Sequence, residues 1–162
     1  NSRLILHAKQ GRHRERVRQV FRAAGVDSAR VEFVGLQPLQ DYFATYHRID
    51  IALDPFPYGG GTTSLDGVWM GVPLVTLRDK TAVGRGGASI LFHLGLTDWI
   101  AETTEQYLEI AGKMARDVPR LVELRNTLRQ RSLGSPLMDQ NRFARDFESA
   151  IEQMIAARCN NT

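Results

Sequence analysis

The 162-residue chain is long enough to bury a core, and its 43% hydrophobic and 24% charged residues are typical of a globular protein rather than a disordered one. The formal charge of +3 comes from basic residues, mostly arginine, that are interleaved with acids, which favours solvated helix faces over a nucleic-acid-binding stripe. No apolar run approaches the roughly 20 residues that cross a bilayer, and no signal peptide is recognisable.

Strand and helix patterns alternate through the first hundred residues. An apolar run at residues 4–6 predicts a buried strand, and apolar residues at helical spacing then predict a helix that ends at Gly25. The pattern continues with a strand from Val31, a helix over 39–46, strands at 51–53 and 73–77, a helix from Thr62 to Gly71, and a helix over 86–94 that Gly95 ends.

This alternation of short apolar strands with helices predicts an α/β fold, in which a parallel sheet is covered by helices on both faces. From Thr103 onward the pattern is helical only, with Thr103 or Thr104 and Asp117 as caps and a last helix after Gly134. We therefore predict one domain composed of an α/β core over residues 1–102 and C-terminal helices over 103–162 that pack on it.

The central feature is a glycine-rich turn between the strand at 51–53 and the helix that begins at Thr62. Gly59, Gly60 and Gly61 precede two threonines at a helix start, where outward N–H groups and the helix dipole favour an anion. No lysine follows the glycines as in a P-loop, and their contiguous spacing does not match a dinucleotide fingerprint. A simple capped turn is the alternative to phosphate binding.

Other charged residues lie near the same predicted sheet edge, where ligands of parallel sheets bind. Asp66 is either a first-turn acid or capping-box partner, or a carboxylate that accepts the hydroxyls of a ribose. Asp54 is expected to cap the glycine turn rather than to catalyse. Lys80 and Arg85 flank a loop, where an exposed cation is expected more often than a phosphate ligand. No histidine has metal-ligand spacing, so no metal site is predicted.

The stretch IDIALDPFPYGGGTTSLDGVWMGVPLVTL and the later GRGGAS resemble the C-terminal catalytic lobe of the O-GlcNAc transferase family. That family includes plant Spindly-type proteins and many bacterial proteins with tetratricopeptide repeats. VEFVG before the motif and SPLMDQNRFARDFESAIEQM after it occur in the same order, so the resemblance covers essentially the whole chain. It implies a GT-B glycosyltransferase, with two Rossmann-like lobes, an inverting reaction and no need for a metal or another cofactor.

The resemblance also implies roles for individual residues. Main-chain groups of Leu36 and Gln37 match those that meet the base, and Tyr42 stands where a histidine of the best-known members lies near the nucleotide. Gly61 replaces a phosphate-contacting histidine of the animal enzymes. The predicted nucleotide-sugar site comprises Leu36, Gln37, Tyr42, Gly60 and Gly61 of the turn, Thr62 and Thr63 for the diphosphate, Asp66 for the ribose, and Arg85 in support.

The resemblance further implies that this chain is part of a longer enzyme, as does its start in a strand without Met. Catalytic residues are expected in an N-terminal lobe, and tetratricopeptide repeats that select the acceptor protein are expected upstream. The expected donor is UDP-GlcNAc, with GDP-fucose open because Spindly-type relatives use it. A non-catalytic nucleotide-binding or partner-docking module, and less so an unrelated phosphate-binding domain, are the alternatives.

Two expectations concern the setting of the protein. Cys159 is the single cysteine, so an intrachain disulfide is excluded and a cytoplasmic location is expected, without nucleic-acid or membrane partners. The last predicted helix carries Phe143, Phe147, Ile151 and Met154 on one face. If nothing in the chain covers this face, self-association as a homodimer is expected.

Overall fold

The computed structural model describes residues 2–159, and the chain forms two compact units that meet in sequence between Ile49 and Asp50. The first unit has two parallel strands, each followed by a helix. Leu4 lies opposite Val31 and His7 opposite Val34 in the strand register. Its elements are β1 (Leu4–His7), α1 (Arg12–Ala23), β2 (Val31–Val34) and α2 (Leu39–Thr45).

The first unit buries little apolar surface. Val31 is its one fully buried hydrophobic residue within the described part of the chain. The guanidinium groups of Arg14 and Arg18 lie 5.3 and 5.0 Å from the centre of the Phe33 ring. Arg14 also donates from Nε to the carbonyl of Lys9 at 3.0 Å. The side chains of these two arginines therefore cover Phe33 of β2 through their apolar stems and cation–π contacts. In a larger unit, apolar core residues would take this place.

The second unit contains a three-stranded parallel sheet in the order β3-β4-β5. Among the described residues, five α-helices accompany it, three of them after the last strand. Its elements are β3 (Ala52–Leu53), α3 (Thr62–Trp69), β4 (Leu74–Leu77), α4 (Gly86–His93), β5 (Ile100–Ala101), α5 (Thr104–Met114), α6 (Val118–Leu133) and α7 (Gln140–Cys159).

The core of the second unit surrounds β4, the central strand. Leu74, Val75 and Thr76 are all buried, as expected for a strand that is covered on both faces. Helices α4 and α5 pack on β4, and α6 packs on α3. The largest buried side chain in this cluster is Trp99, which immediately precedes β5. The predicted α/β fold, with parallel strands and flanking helices, is confirmed.

Helix α3 is fixed at its C-terminal end by α6. Arg129 donates from Nε to the carbonyl of Trp69 at 3.0 Å, and Arg125 donates from Nη1 to that of Met70 at 3.1 Å. Cations favour the C-terminal end of a helix, where the last carbonyls lack intrahelical partners. Gly71 follows with φ of 78°, and a Cβ there would lie 2.5 Å from the carbonyl oxygen of Arg125. Glycine is therefore required at 71 both for its conformation and for its contact.

The sequence predicted most elements of the chain to within one or two residues. Gly25, Gly71 and Gly95, the predicted helix ends, all have positive φ. Thr103 caps α5 by accepting a hydrogen bond from Gln106 N, and Asp117 caps α6 by accepting from Arg120 N. Strand β5 was not predicted, because two residues carry no periodic signal and the strand is defined by its pairing with β4.

The apolar face of α7 is exposed, and no residue of this helix is buried. The rings of Phe143 and Phe147 stack with their centres 6.0 Å apart. The exposed apolar side chains of the helix are Phe143, Phe147, Ile151, Met154 and Ile155. Within residues 2–159, no helix is long and apolar enough to cross a membrane.

Candidate functional site

The glycine turn lies where the sequence predicted it, between the carboxyl end of β3 and the first turn of α3. The helix begins at Thr62, and Gly61 is its N-cap residue, so no side chain caps it. The first N–H groups of a helix have no intrahelical carbonyl to bind. With Gly61, Thr62 and Thr63 all exposed, this end of α3 is open to a ligand that accepts hydrogen bonds.

A buried carboxylate organises the turn from the inside. Asp54 follows β3 directly and is 4% exposed. Its Oδ1 accepts a hydrogen bond from the backbone N–H of Gly60 at 2.7 Å and a longer one from Ser64 Oγ at 3.4 Å. Its Oδ2 accepts from Thr76 Oγ1 at 2.7 Å. One side chain thus joins the turn, the first turn of α3 and strand β4, which confirms the expected capping role of Asp54.

The glycines at 60 and 87 allow the backbone to approach this carboxylate closely. A Cβ on Gly87 would lie 2.4 Å from Asp54 Oδ2 and 2.6 Å from Thr76 Oγ1. A Cβ on Gly60 would lie 2.2 Å from Ser64 Oγ. Because Gly87 belongs to the first turn of α4, the N-terminal ends of α3 and α4 both lie beside Asp54. Helix N-termini favour negative charge, so both ends stabilise the buried carboxylate.

Tyr107 of α5 supports the same segment. Its hydroxyl donates to the main-chain carbonyl of Asp54 at 3.0 Å, and its ring packs edge-to-face on Phe56 with centres 5.4 Å apart. Burial, together with the nearby Asp54 carboxylate, raises the pKa of Tyr107 to about 12. The hydroxyl therefore stays protonated and remains a donor at neutral pH.

Asp66 lies on the same helix as the predicted diphosphate residues. It is half-buried, and the first turn of α3 contains no acidic residue, so the interpretation of Asp66 as a first-turn acid is wrong. The residue borders a groove of about 260 Å³ that lies between α3 and the segment after α6, with Trp69 and Met138 in its walls. Asp66 is thus accessible to a ligand that enters from this side.

The loop between β4 and α4 is held by its own side chains. Asp79 accepts hydrogen bonds from the N–H of Lys80 at 2.6 Å and from Thr81 Oγ1 at 3.2 Å, and Thr81 Oγ1 accepts from the N–H of Gly84 at 3.2 Å. Lys80 and Arg85 are both exposed, and Arg85 immediately precedes α4. Both residues are thus exposed cations of the loop, as the sequence predicted.

The other predicted site residues belong to the first unit. Leu36 follows β2 and is 82% exposed. Gln37 Oε1 accepts a hydrogen bond from Thr45 Oγ1 at 3.2 Å. Tyr42, on α2, shares a hydroxyl–hydroxyl hydrogen bond of 2.7 Å with Tyr46 and packs edge-to-face on Phe43. The turn after β2 is thus exposed, while the Tyr42 ring is fixed in an aromatic cluster.

The partners of Asp54 have no signal in the sequence. Thr76 belongs to a predicted buried strand, and only the pairing of β3 with β4 brings its hydroxyl to Asp54. The GRGGAS segment did contain a signal, since a Gly-Gly pair at a helix start indicates close backbone approach. Within residues 2–159, no group of three His, Cys, Asp or Glu residues is arranged to hold a metal ion.

Comparison with known proteins gives consistent matches over the chain. The model of glycosyl transferase family 41 matches residues 2–147. A SPINDLY protein of Hordeum vulgare, named as a probable UDP-N-acetylglucosamine–peptide N-acetylglucosaminyltransferase, is 35% identical over 99% of this chain and 17% of its own length. The SPINDLY protein of Eustoma exaltatum is 37% identical over 98% of this chain and 18% of its own.

A solved structure of a mutant of Thermobaculum terrenum O-GlcNAc transferase superposes with a TM-score of 0.87 at 36% identity, over 98% of this chain and 31% of that one. The fold is therefore that of the C-terminal lobe of a GT-B glycosyltransferase. The chain belongs to glycosyl transferase family 41. It spans less than a fifth of the length of the plant relatives.

The contact of Gly87 with Asp54 predicts an asymmetry between two glycines. Gly87→Ala places a methyl group against a buried carboxylate and should lower the free energy of unfolding by about 1–3 kcal/mol or more, measured by urea denaturation. Gly61→Ala is the control, because a Cβ there meets nothing within 4 Å, and it should change stability by about 0.5 kcal/mol or less. Equal effects of the two substitutions would contradict the packing described.

Proposed function

We propose that this chain is the donor-binding half of an inverting protein O-glycosyltransferase that transfers N-acetylglucosamine from UDP-GlcNAc to Ser or Thr of proteins. The observation that carries the proposal is the open glycine turn at the start of α3, supported from inside by Asp54, in a member of family 41. The names of the plant relatives and the bacterial structure support the reaction and the donor.

The diphosphate is proposed to lie at the start of α3, where Gly61, Thr62 and Thr63 are exposed. Backbone N–H groups, threonine hydroxyls and the helix dipole all favour its negative charge there, without a metal ion. Asp66 is proposed to accept the ribose hydroxyls, since a carboxylate can bind two neighbouring hydroxyl donors. Arg85, next to the start of α4, adds positive charge. The contacts of main-chain groups of Leu36 and Gln37 with the base, and the position of Tyr42 near the nucleotide, remain predictions from the resemblance.

Catalytic residues are proposed to come from a further lobe, and the acceptor is proposed to be selected by repeats in the same parent protein. The small share of each relative that this chain matches supports that division. A cytoplasmic location, which the single cysteine suggests, completes the proposal.

Nucleotide binding tests the site directly. Titration calorimetry should show binding of UDP and UDP-GlcNAc in preference to GDP and GDP-fucose. Asp66→Ala should weaken UDP binding about tenfold or more, the effect of losing charge-assisted hydrogen bonds. Asp146→Ala, which removes an exposed carboxylate on α7, is the matched control and should leave the affinity unchanged. Absence of binding by every nucleotide would contradict the proposal and favour a non-catalytic docking module.

An assay of sugar transfer tests whether the catalytic residues lie outside this chain. The 162-residue chain, mixed with UDP-GlcNAc and a peptide acceptor, should bind the donor and give no glycosylated peptide by mass spectrometry. Detectable turnover by this chain alone would show that it contains its own catalytic group and would contradict the proposed division.

We also propose that the exposed face of α7 pairs with a second copy of this chain. The face comprises Phe143, Phe147, Ile151 and Met154, all of them exposed. An antiparallel pair of copies, centred near Phe147, would bury this apolar face. It also places the stacked phenylalanines of the two copies in contact.

Sedimentation should therefore find a concentration-dependent dimer. Phe143→Ser together with Phe147→Ser should convert it to a monomer with unchanged circular dichroism, because both rings are exposed and support no core. Phe92→Ser, a change of the same kind on α4 at a side chain that is 67% exposed, is the control. A monomer at high concentration for the unaltered chain would exclude this pairing.

A further inference from the structure

We infer that Asp54 is a positioning residue for the donor, setting the conformation in which the glycine turn receives a diphosphate. This inference rests on the proposed function and adds to it a residue that does not itself touch the ligand. Asp54 is buried, and both of its carboxylate oxygens already bind groups of this chain at 2.7 Å, namely the N–H of Gly60 and the hydroxyl of Thr76.

The hydrogen bonds to Asp54 limit the flexibility of the glycine turn. Three consecutive glycines have the largest conformational freedom of any such segment, and a ligand that orders them loses affinity in doing so. The hydrogen bond from the middle glycine, Gly60, to Asp54 fixes the segment before any ligand arrives. The contact of Ser64 with the same oxygen adds the first turn of α3 to the fixed region. The turn is therefore preorganised by one side chain.

The hydrogen bond from Gly60 to Asp54 also sets which side of the turn is exposed. Because Gly60 donates its N–H inward to Asp54, the following residues, Gly61 to Thr63, continue on the exposed side of the turn. An anion at the start of α3 is thus bound on the outer side, opposite the buried carboxylate. Asp54 selects which N–H groups face a ligand and which do not.

The charge of Asp54 and its hydrogen bonds have opposite effects on the affinity for a diphosphate. A negative carboxylate close to a diphosphate repels it, so loss of that charge alone should strengthen binding. Loss of the hydrogen bonds should weaken binding instead. The two effects separate in substitutions that change charge and hydrogen bonding independently.

Asp54→Asn removes the charge and keeps an acceptor for Gly60. Its amide N–H₂ can donate to Thr76, whose hydroxyl can rotate to accept. We expect UDP affinity within about threefold of the unaltered chain, or higher. Asp54→Ala removes charge and acceptors together, and UDP affinity should fall about tenfold or more although the repulsion is gone. Asp54→Glu keeps the charge and displaces the acceptors, and should also weaken UDP binding.

The comparison of UDP with UMP distinguishes positioning from general support. A turn that serves a diphosphate should lose more affinity for UDP than for UMP in Asp54→Ala and Asp54→Glu, whereas a general loss of structure weakens both equally. Asp117→Ala is the matched control, because it is the same kind of change and removes the N-cap of α6, a stabilising contact outside the glycine turn. It should lower the melting temperature while UDP affinity changes by less than about threefold.

The outcomes of calorimetry and thermal unfolding separate this inference from the proposed function. If the unaltered chain does not bind UDP, the proposed function fails. If it binds UDP, and Asp66→Ala weakens that binding while Asp54→Glu and Asp54→Ala leave it unchanged, the proposed function stands and the positioning role is overturned. If Asp54→Ala does not fold, Asp54→Asn and Asp54→Glu decide: equal affinities of these two for UDP overturn the inference.

Discussion

The second unit depends, at the edge that carries the glycine turn, on the hydrogen bonds to the Asp54 carboxylate. A buried carboxylate is costly to remove from water unless each oxygen has partners, and here the partners come from different segments of the chain. The carboxylate and its partners stabilise one another. The carboxylate needs the turn and β4 in order to be stable, and the turn needs the carboxylate in order to have a single conformation. The absence of a side chain at Gly87 completes this arrangement, because α4 can start within contact distance of the charge.

The rest of the second unit holds these groups in place. Strand β4 supplies Thr76 and is buried on both faces, so the hydroxyl is fixed by a core that includes Leu74, Val75 and Trp99. Helix α3 is held at its C-terminal end by two arginines of α6, which leaves its N-terminal end as the end that can bind an anion. The dipole of α3 thus favours the arginines at its C-terminal end and the proposed phosphate at its N-terminal end.

The sequence predicted the α/β fold, the order of its elements and the place of the glycine turn, because each of these has a local signal. Glycine at helix ends, threonine and aspartate caps and short apolar strands are readable without tertiary information. Three features were not predictable in this way. Strand β5 depends on its pairing with β4, the bond between Asp54 and Thr76 joins residues of neighbouring strands, and the arginines that bind the end of α3 come from a helix some 60 residues later. In each case the deciding contact is between segments that are distant in sequence.

The contact between Asp54 and Gly87 also constrains how this chain can diverge. A methyl group at 87 is tolerated only if residue 54 becomes smaller, and a smaller residue at 54 leaves the N–H of Gly60 and the hydroxyl of Thr76 without their acceptor. A substitution at 54 leaves its neighbours satisfied only if it keeps the size of the side chain and an acceptor for Gly60, as Asp54→Asn does. Other accepted changes at 54, 76 and 87 should therefore arise together during evolution, through intermediates of reduced stability. In contrast, Gly61 has no such neighbour and can drift alone. The exposed side of the turn is thus free to adapt to new ligands while its inner side stays fixed.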